Sequence, residues 1–249
     1  MDVKNTPQAD VVLTGRKPVA ERVREDPEQV EHVFLQRGLH GSGFDSIVDA
    51  CRKAGVRFSF VPKERLDALF PGNHQGVAAR IFAQGYVELE TMWALVRNAP
   101  LPVAVALDQV QDPGNAGTLA RTLYALGGGG IIVPRHNAAH LGAAAERASS
   151  GTLSRTPVAR VANLSHALEA AADEGFAVYG AAADGLNAFT STLRLPAVLV
   201  LGNEEKGVRP GVAKRCEAML SIPQARPLDS INVAQAGAIL LARFAWSLL

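Results

Sequence analysis

The chain has 249 residues, of which 48% are hydrophobic and 20% are charged, and its formal net charge is +1. This length accommodates one large domain or two smaller ones, each with its own core. The longest apolar runs, among them residues 197–201, are far shorter than the roughly 20 residues that a membrane span needs, which excludes a transmembrane protein. The first seven residues have no apolar stretch typical of a secretory signal, so we expect a cytoplasmic protein.

The spacing of the cysteines and histidines and the distribution of charge exclude several classes of site. Cys51 and Cys216 are far apart and predict neither a disulfide framework nor a metal cluster, so we expect both to be packing residues. The six histidines lack metal-ligand spacing, and we expect no metal. Residues 1–83 contain 12 basic and 11 acidic residues, and the remainder contains 13 of each. A nucleic-acid partner would therefore need a local basic patch.

The first third of the chain predicts a small α/β unit. Apolar spacing and turn residues predict helices over 15–25, 44–54 and 62–70, and strands over 30–35, 56–60 and 76–83. A helix over 88–98 then ends before Pro100 and Pro102, two prolines that indicate a stiff joint. The domain boundary is expected between 84 and 101.

From residue 103 onward, short apolar strands alternate with helices. The predicted strands cover 103–107, 131–133, 176–181, 197–201 and 219–222, and the predicted helices cover 116–126, 164–174, 210–216 and 233–248. This alternation predicts a parallel sheet covered on both faces. Ligand sites in such sheets lie in the loops beyond the carboxyl ends of the strands.

The first such loop, residues 107–122, leaves a strand and enters a helix. Asn115 stands where an N-cap is expected, and the preceding Asp112-Pro113-Gly114 is typical of a turn. Arg121 lies two turns into the helix, where nothing structural demands an arginine. A guanidinium near a helix start suits a phosphate or another anion.

Two further loops also follow strands. In 201–208, Gly202 and Gly207 flank Glu204, but the Lys-Ser/Thr pair of a P-loop is missing, which disfavours nucleotide triphosphate hydrolysis. In 222–234, Ser230 or Asn232 is a candidate N-cap for the last helix. A plain turn or a cap explains each loop taken alone. Their joint occurrence at three strand ends of one domain favours a common site.

Together the three loops resemble the SpoU (TrmH) family of RNA ribose 2′-O-methyltransferases, of the SPOUT class. Residues 112–121 match D-P-x-N-x-G-x-x-x-R, residues 202–207 match G-x-E-x-x-G, and residues 222–233 match I-P-…-S-[LI]-N-V. Residues 15–19 and 74–79 resemble the G-x-x-P/A-V and H-Q-G-[IV]-x-A signatures of the family's substrate-binding domain, which is of the L30e type. The resemblance covers about residues 11–249. Glu205 and Ala234 depart from the family pattern.

The resemblance implies an α/β fold in two domains. A small L30e-like domain over 11–83 would bind the RNA substrate, and a linker over 84–101 would precede a SPOUT catalytic domain over 102–249. That second domain would have a parallel sheet and a C-terminal trefoil knot, a rare exception to the rule that chains do not thread loops. S-adenosylmethionine would be the cofactor, bound mainly through backbone groups at Gly202, Ile222 and Ile231, with Asn232 nearby.

The same resemblance assigns catalytic roles. The family's motif-one arginine, here Arg121, has been considered the general base, but a guanidinium is a poor proton acceptor. We favour the interpretation that Arg121 holds the phosphate next to the target ribose, and that phosphate can relay the proton. Asn115, Glu204, Ser230 and Asn232 would orient Arg121 and the ribose.

The resemblance also implies the substrate, since L30e-like domains in this family accompany enzymes of large-subunit ribosomal RNA. Guanosine is the expected base, and the alternatives are a transfer-RNA 2′-O-methyltransferase or an inactive RNA-binding module of the same fold. Arg16, Lys17, Arg22 and Arg24 on the first helix are candidate RNA contacts, although a solvated helix face explains them equally well.

Two further expectations concern assembly and a competing fold. The family dimerises through its knotted domain, and the last helix is apolar over more than one stripe, so we expect a homodimer. A Rossmann-type enzyme would need a G-x-G-x-x-G turn after its first strand. Here Gly127–Gly130 precedes a strand and is expected to shorten a helix-to-strand connection.

Overall fold

A computed structural model describes residues 11–81, 85–226, 228 and 230–248. The segment weighed as a secretory signal and the last two residues of the strand predicted over 76–83, Phe82 and Ala83, lie outside these ranges. The chain divides into two compact units between Gly85 and Tyr86.

The first unit is a four-stranded sheet covered by helices. Its elements are β1 (Val11–Thr14), α1 (Arg16–Glu25), β2 (Val30–Gln36), α2 (Ser42–Ala54), β3 (Phe58–Val61), α3 (Lys63–Leu69) and β4 (Val77–Ile81). The strand order is β1-β4-β2-β3, with β4 antiparallel to both of its neighbours and β3 parallel to β2. Val19 and Val23 of α1 and Phe44 and Ile47 of α2 are buried in one core with the sheet. The strand β1 was not predicted.

The second unit is a six-stranded sheet in which every pair of neighbouring strands is parallel. Its elements are α4 (Leu89–Arg97), β5 (Leu101–Asp108), α5 (Pro113–Ala125), β6 (Gly128–Pro134), α6 (Ala143–Ala148), β7 (Val158–Val161), α7 (Leu164–Asp173), β8 (Ala177–Asn187), β9 (Ala197–Gly202), α8 (Pro210–Ala213), β10 (Ala218–Ser221) and α9 (Val233–Trp246). The order is β10-β8-β9-β5-β6-β7. The parallel sheet expected from apolar strands alternating with helices is therefore confirmed.

Both faces of this sheet carry helices. Met92 and Trp93 of α4, Leu168 of α7 and Val212 of α8 share one core with the strands. Elsewhere in the unit, α5 packs against α6 and α9, and Gly237 of α9 brings its backbone close to Leu119 of α5 and Leu201 of β9. Because parallel strands are buried on both faces, their sequences are continuously apolar instead of alternating.

Two sequence expectations near α4 differ from the structure. Residues 84–101, expected to form a linker, contain α4, whose side chains are buried in the core of the second unit. The glycines expected to form a connection instead begin β6, and a side chain at Gly129 would collide with Val96 of α4. The glycine run therefore lets α4 pack directly onto the strand.

Both cysteines pack against hydrophobic cores of this fold. Burial raises the pKa of the Cys51 thiol to about 11. Burial, and secondarily the charge of Asp108, raises the pKa of the Cys216 thiol to about 12. In the part of the chain that the structure describes, no helix is long and apolar enough to cross a membrane, and no cluster of potential ligands is arranged around a metal position.

Candidate cofactor and RNA-modification site

The three motif loops meet at the carboxyl edge of the parallel sheet. Strands β5 and β9 are neighbours, and their last residues, Asp108 and Gly202, are paired in register. The loop after β5 therefore lies beside the loop after β9, and the segment after β10 leads into α9, which packs against α5. The strand order thus brings together polar residues that are distant in the sequence.

The start of α5 is capped by Asp112. Its carboxylate accepts hydrogen bonds from the backbone N–H groups of Gly114 at 3.0 Å and Asn115 at 3.2 Å. The prediction that Asn115 is the N-cap is therefore wrong, because Pro113 already occupies the first helical position and the cap must precede it. The amide of Asn115 is left to make contacts outside its helix.

That amide is the centre of a short hydrogen-bond chain between the three loops. Asn115 Nδ2 donates to Glu204 Oε1 at 2.8 Å, and Asn232 Nδ2 donates to Asn115 Oδ1 at 3.1 Å. Asn232 is also the N-cap of α9, since its Oδ1 accepts from the N–H groups of Ala234 and Gln235. One residue from each motif is thereby fixed relative to the others.

The loop that carries Glu204 is a tight turn with little freedom. The backbones of Asn203 and Gly207 exchange hydrogen bonds of 3.1 and 2.8 Å, and Asn203 Oδ1 accepts from the N–H groups of Glu205 and Lys206. A side chain at Gly202 would collide with the backbone of Gly207 and its neighbour Val208. The glycine at the end of β9 is therefore required for the loop to fold back.

An ion pair between a buried aspartate and an exposed arginine, which the sequence analysis missed, anchors this loop. Asp108 is fully buried at the end of β5, and its carboxylate accepts from the backbone N–H of Arg209 at 2.8 Å and from the Nε and Nη2 atoms of Arg209 at 2.7 Å each. At the other end of the loop, Asn203 Nδ2 donates to the carbonyl of Gln109 at 3.1 Å. The signal in the sequence that could have revealed this ion pair is an aspartate at the end of an apolar strand.

A cavity of about 440 Å³ lies between these loops. Gly202, Glu204, Ile222, Ser230 and Ile231 are among the residues that line it. Asn232 does not line this cavity and instead contacts Asn115, so three of the four residues predicted to bind the cofactor reach the cavity.

The remaining wall of the cavity comes from β8 and was not predicted. The register of β8 against β10 shifts between Met219 and Leu220, and residues 181–184 of β8 line the cavity there. Asp184 is exposed in this segment. A strand irregularity of this kind re-aims side chains, and no periodic pattern in the sequence reveals it.

Family models match both units of the chain. Residues 102–242 match the SpoU rRNA Methylase family, and residues 12–87 match the model for RNA 2′-O ribose methyltransferase substrate binding. The chain belongs to the SpoU rRNA methylase family. The resemblance carried by the three motifs is thereby confirmed.

Individual relatives agree with this assignment. This SpoU family member is 36% identical to an uncharacterized tRNA/rRNA methyltransferase of Mycolicibacterium vanbaalenii, over 97% of this chain and 78% of the relative. It is 31% identical to YacO of Bacillus subtilis, named for the TrmH family of tRNA/rRNA methyltransferases, over 94% of both chains. The structure of an rRNA methyltransferase from Sinorhizobium meliloti superimposes with a TM-score of 0.61 at 26% identity, covering 96% of this chain and 87% of that one.

The same comparisons confirm the predicted SPOUT-type α/β fold. The AdoMet-bound structure of the Sinorhizobium meliloti enzyme has a TM-score of 0.59 to this chain at 25% identity, with coverage of 96% and 87%. The C-terminal trefoil knot that the SPOUT class implies remains a prediction.

The motif-one arginine of this SpoU family member stands apart from the hydrogen-bond chain. Arg121 is exposed on α5, and its Nη1 donates to Ser150 Oγ at 3.0 Å. It lies six residues beyond Asn115, or about 9 Å along the helix axis. Arg121 is not among the residues that line the cavity.

The four basic residues predicted to contact RNA all lie on α1 of the first unit, where each has a partner within the protein. Arg16 stacks over the Phe44 ring at 4.5 Å, and Arg24 contacts Ser46 at 3.5 Å. Lys17 and Arg22 form ion pairs with acidic residues one turn ahead on the chain, at 3.9 and 3.3 Å. Such exposed pairs are weak, so a role in RNA binding remains a prediction.

Proposed function

We propose that this protein transfers a methyl group from S-adenosylmethionine to the ribose 2′-hydroxyl of a nucleotide in ribosomal RNA, with guanosine as the expected base. The observation that carries the proposal is the hydrogen-bond chain Asn232–Asn115–Glu204, which joins the three family motifs and ends on a carboxylate lining the cavity. The hydrogen-bond chain fixes polar groups beside the cavity. The described residues contain no cluster of side chains that could bind a metal ion.

The chemistry of the cavity fits S-adenosylmethionine. Its walls combine apolar side chains such as Ile222 and Ile231 with the backbone at Gly202, which suits a purine ring recognised through main-chain groups. Glu204 and Asp184 contribute carboxylates, which attract a positively charged ligand. When bound, S-adenosylmethionine supplies an electrophilic methyl group on a positively charged sulfur. The AdoMet-bound Sinorhizobium meliloti enzyme supports this assignment.

The residues of the chain must align the ribose for methyl transfer and provide a path for the proton that leaves its 2′-hydroxyl. Methyl transfer is an in-line displacement, so the hydroxyl oxygen must be held in line with the methyl group. We assign Arg121 to the phosphate beside the target ribose, because a guanidinium is a bidentate phosphate donor and a poor base. The phosphate oxygen relays the hydroxyl proton to solvent water. Asn115, Glu204 and Asn232, with Ser230 on the cavity wall, orient the ribose.

The matched substrate-binding model supports the ribose 2′-hydroxyl as the acceptor, and the relatives' names span tRNA and rRNA methyltransferases. We retain ribosomal RNA and the cytoplasm as predictions. A homodimer also remains a prediction, supported by Trp246 at the end of α9, which is 71% exposed.

Mapping of ribose methylation in RNA from a deletion strain tests the proposal. We expect the loss of a single 2′-O-methyl mark in ribosomal RNA, restored by the wild-type gene and not by a gene carrying Arg121→Lys. Loss of a transfer-RNA mark alone would establish the first alternative. Cofactor binding by the purified protein with no methyl incorporation into any cellular RNA would establish the inactive binding module.

A further inference from the structure

One segment of the second unit is rich in basic residues. Residues 113–161 contain five arginines and a single acidic residue, Glu146, in a chain whose net charge is only +1. The helix α9, which packs against α5, contains no acidic residue. Such a segment can supply the local basic patch that a nucleic-acid partner requires and that bulk charge does not reveal.

Three exposed arginines of this segment lie on elements that pack against one another: Arg121 on α5, Arg147 on α6 and Arg155 on the short turn Leu153–Arg155. Arg121 donates to Ser150 Oγ at 3.0 Å, and the N–H of Ser150 in turn donates to the carbonyl of Arg147 at 3.0 Å. Arg155 lies over the ring of Tyr124 at 4.6 Å, and Tyr124 is one turn beyond Arg121 on α5. We call Arg121, Arg147 and Arg155 the arginine surface.

The only carboxylate of the segment does not neutralise the arginine surface. Glu146 is turned inward, where its Oε2 accepts from the N–H of Ser154 at 3.1 Å and its Oε1 is buried. Among the described residues, no ion pair involves an arginine of this surface. By contrast, Arg97 and Arg215 of the same unit are each paired with a glutamate at 2.7 Å.

The turn that positions Arg121 is rigidly built. Ser150 adopts a left-handed conformation with φ of +53°, which is uncommon for a residue other than glycine. The fully buried Ser149 holds the turn, since its Oγ donates to the carbonyl of Glu146 at 2.8 Å and accepts from the N–H of Leu153 at 3.1 Å. Such conformations persist where the surroundings enforce them, and they cluster at functional sites.

We propose that the arginine surface binds the phosphodiester backbone of the substrate RNA on the side of α5 that carries Arg121, which extends the phosphate contact assigned to Arg121 to neighbouring nucleotides. The proposal rests on the proposed function, because it takes RNA as the substrate. Ser150 orients the guanidinium of Arg121 and Tyr124 orients that of Arg155 without cancelling their charge, so their bidentate donors stay available for phosphate oxygens. Contacts of this kind position an RNA without reading its sequence.

Salt-dependent RNA binding tests the arginine surface. The full chain, saturated with S-adenosylhomocysteine to prevent turnover, is titrated onto a fluorescein-labelled single-stranded RNA of about 20 nucleotides over a series of KCl concentrations. For the double variant Arg147→Gln/Arg155→Gln we expect about tenfold weaker binding at low salt. The slope of log K against log [KCl] should become shallower by about 0.7 for each phosphate that the variant no longer neutralises.

Arg97→Gln/Arg215→Gln is the matched control, because it removes the same two charges from arginines that are already paired with Glu174 and Glu169. We expect its RNA affinity to stay within about twofold of wild type with an unchanged slope. A second variant, Arg155→Lys, keeps the charge and loses the planar group over Tyr124, and should bind with an affinity between wild type and Arg155→Gln.

Equal slopes for the double variant and the control would overturn the proposal. The proposal would also be overturned if the double substitution Arg147→Gln/Arg155→Gln dissociated a dimer, as measured by sedimentation, and left the salt slope unchanged. The arginine surface would then join two copies of the chain. Methyl transfer by the wild type is measured separately. If the wild type is inactive but its RNA binding depends on the two arginines, only the proposed function is contradicted. If the wild type is active but its RNA binding does not depend on the two arginines, only this inference is contradicted.

Discussion

Helices α5 and α9 begin at the same edge of the second sheet and contribute to one hydrogen-bond chain, but their starts are built differently. At α5, Asp112 caps the helix, and Asn115 uses its amide for Glu204. At α9, Asn232 accepts the capping hydrogen bonds and also donates to Asn115. Helix stability and site geometry therefore depend on separate residues at α5 and on a single residue at α9.

The largest effect is expected from Arg121→Lys, which leaves the start of α5 untouched. Lysine cannot reproduce the planar fork of arginine, and a misplaced phosphate costs about 100-fold or more in rate. Cofactor affinity should stay within about twofold, because Arg121 does not line the cavity. Single-turnover methyl transfer measured beside calorimetric cofactor binding checks both values. A rate near wild type would refute a functional role of Arg121.

Asn232→Ala should lower both the stability of the protein and the rate of methyl transfer. Removing the cap of α9 should lower the free energy of unfolding by about 1 kcal/mol. Loss of the hydrogen bond to Asn115 should slow methyl transfer by about tenfold. Asn232→Ser separates the two effects, because a serine hydroxyl can cap the helix but is too short to reach Asn115. Recovery of the rate in Asn232→Ser would show that the amide contact is dispensable.

Asn115→Ala should slow methyl transfer by about tenfold, because it removes the link between Glu204 and Asn232. Its free energy of unfolding should fall by less than about 0.5 kcal/mol, since Asn115 is not the cap. Chemical denaturation and single-turnover rates on the same preparation provide the test. A stability loss as large as that of Asn232→Ala would contradict the comparison of the two helix starts.

Asp112→Ala is expected to have the smallest effect on function. It should cost about 1 kcal/mol of stability through loss of the α5 cap. The rate of methyl transfer at a temperature where the variant is folded should change by less than about threefold. Asp112→Asn, which retains a capping oxygen, serves as its control. A rate loss comparable to that of Asn115→Ala would place Asp112 in the site itself.

Elements with a strong period or a long apolar run were predicted well. The apolar strand β9 and the helix α7 follow directly from such patterns. The strand β7 and the helix α6 were not predicted, and α6 is mostly alanine without an apolar period. The start of β6 was assigned to a connection, because a run of glycines carries no strand propensity and its fit against α4 is a tertiary effect.

The sequence predicted which loops form the candidate site but not which of their side chains are in contact. The motif spacing placed Asn115, Glu204 and Asn232 at three strand ends, where a parallel sheet brings loops together. The pairing of Asp108 with Arg209 and the turn of Arg121 toward Ser150 were not predicted. Each of these contacts involves partners on different elements, and the spacing of residues along one element says nothing about them.

The sequence by itself determined the α/β class, the parallel sheet and the family motifs, because these depend on local periodicity and on residue types at fixed short spacings. The tertiary structure decided which polar side chains meet. Asn115 is 89 residues from Glu204 and 117 residues from Asn232, and these residues come into contact because β9 lies beside β5 and α9 packs against α5. Strand order is a property of the whole packed sheet, so the geometry of the site depends on the fold as a unit.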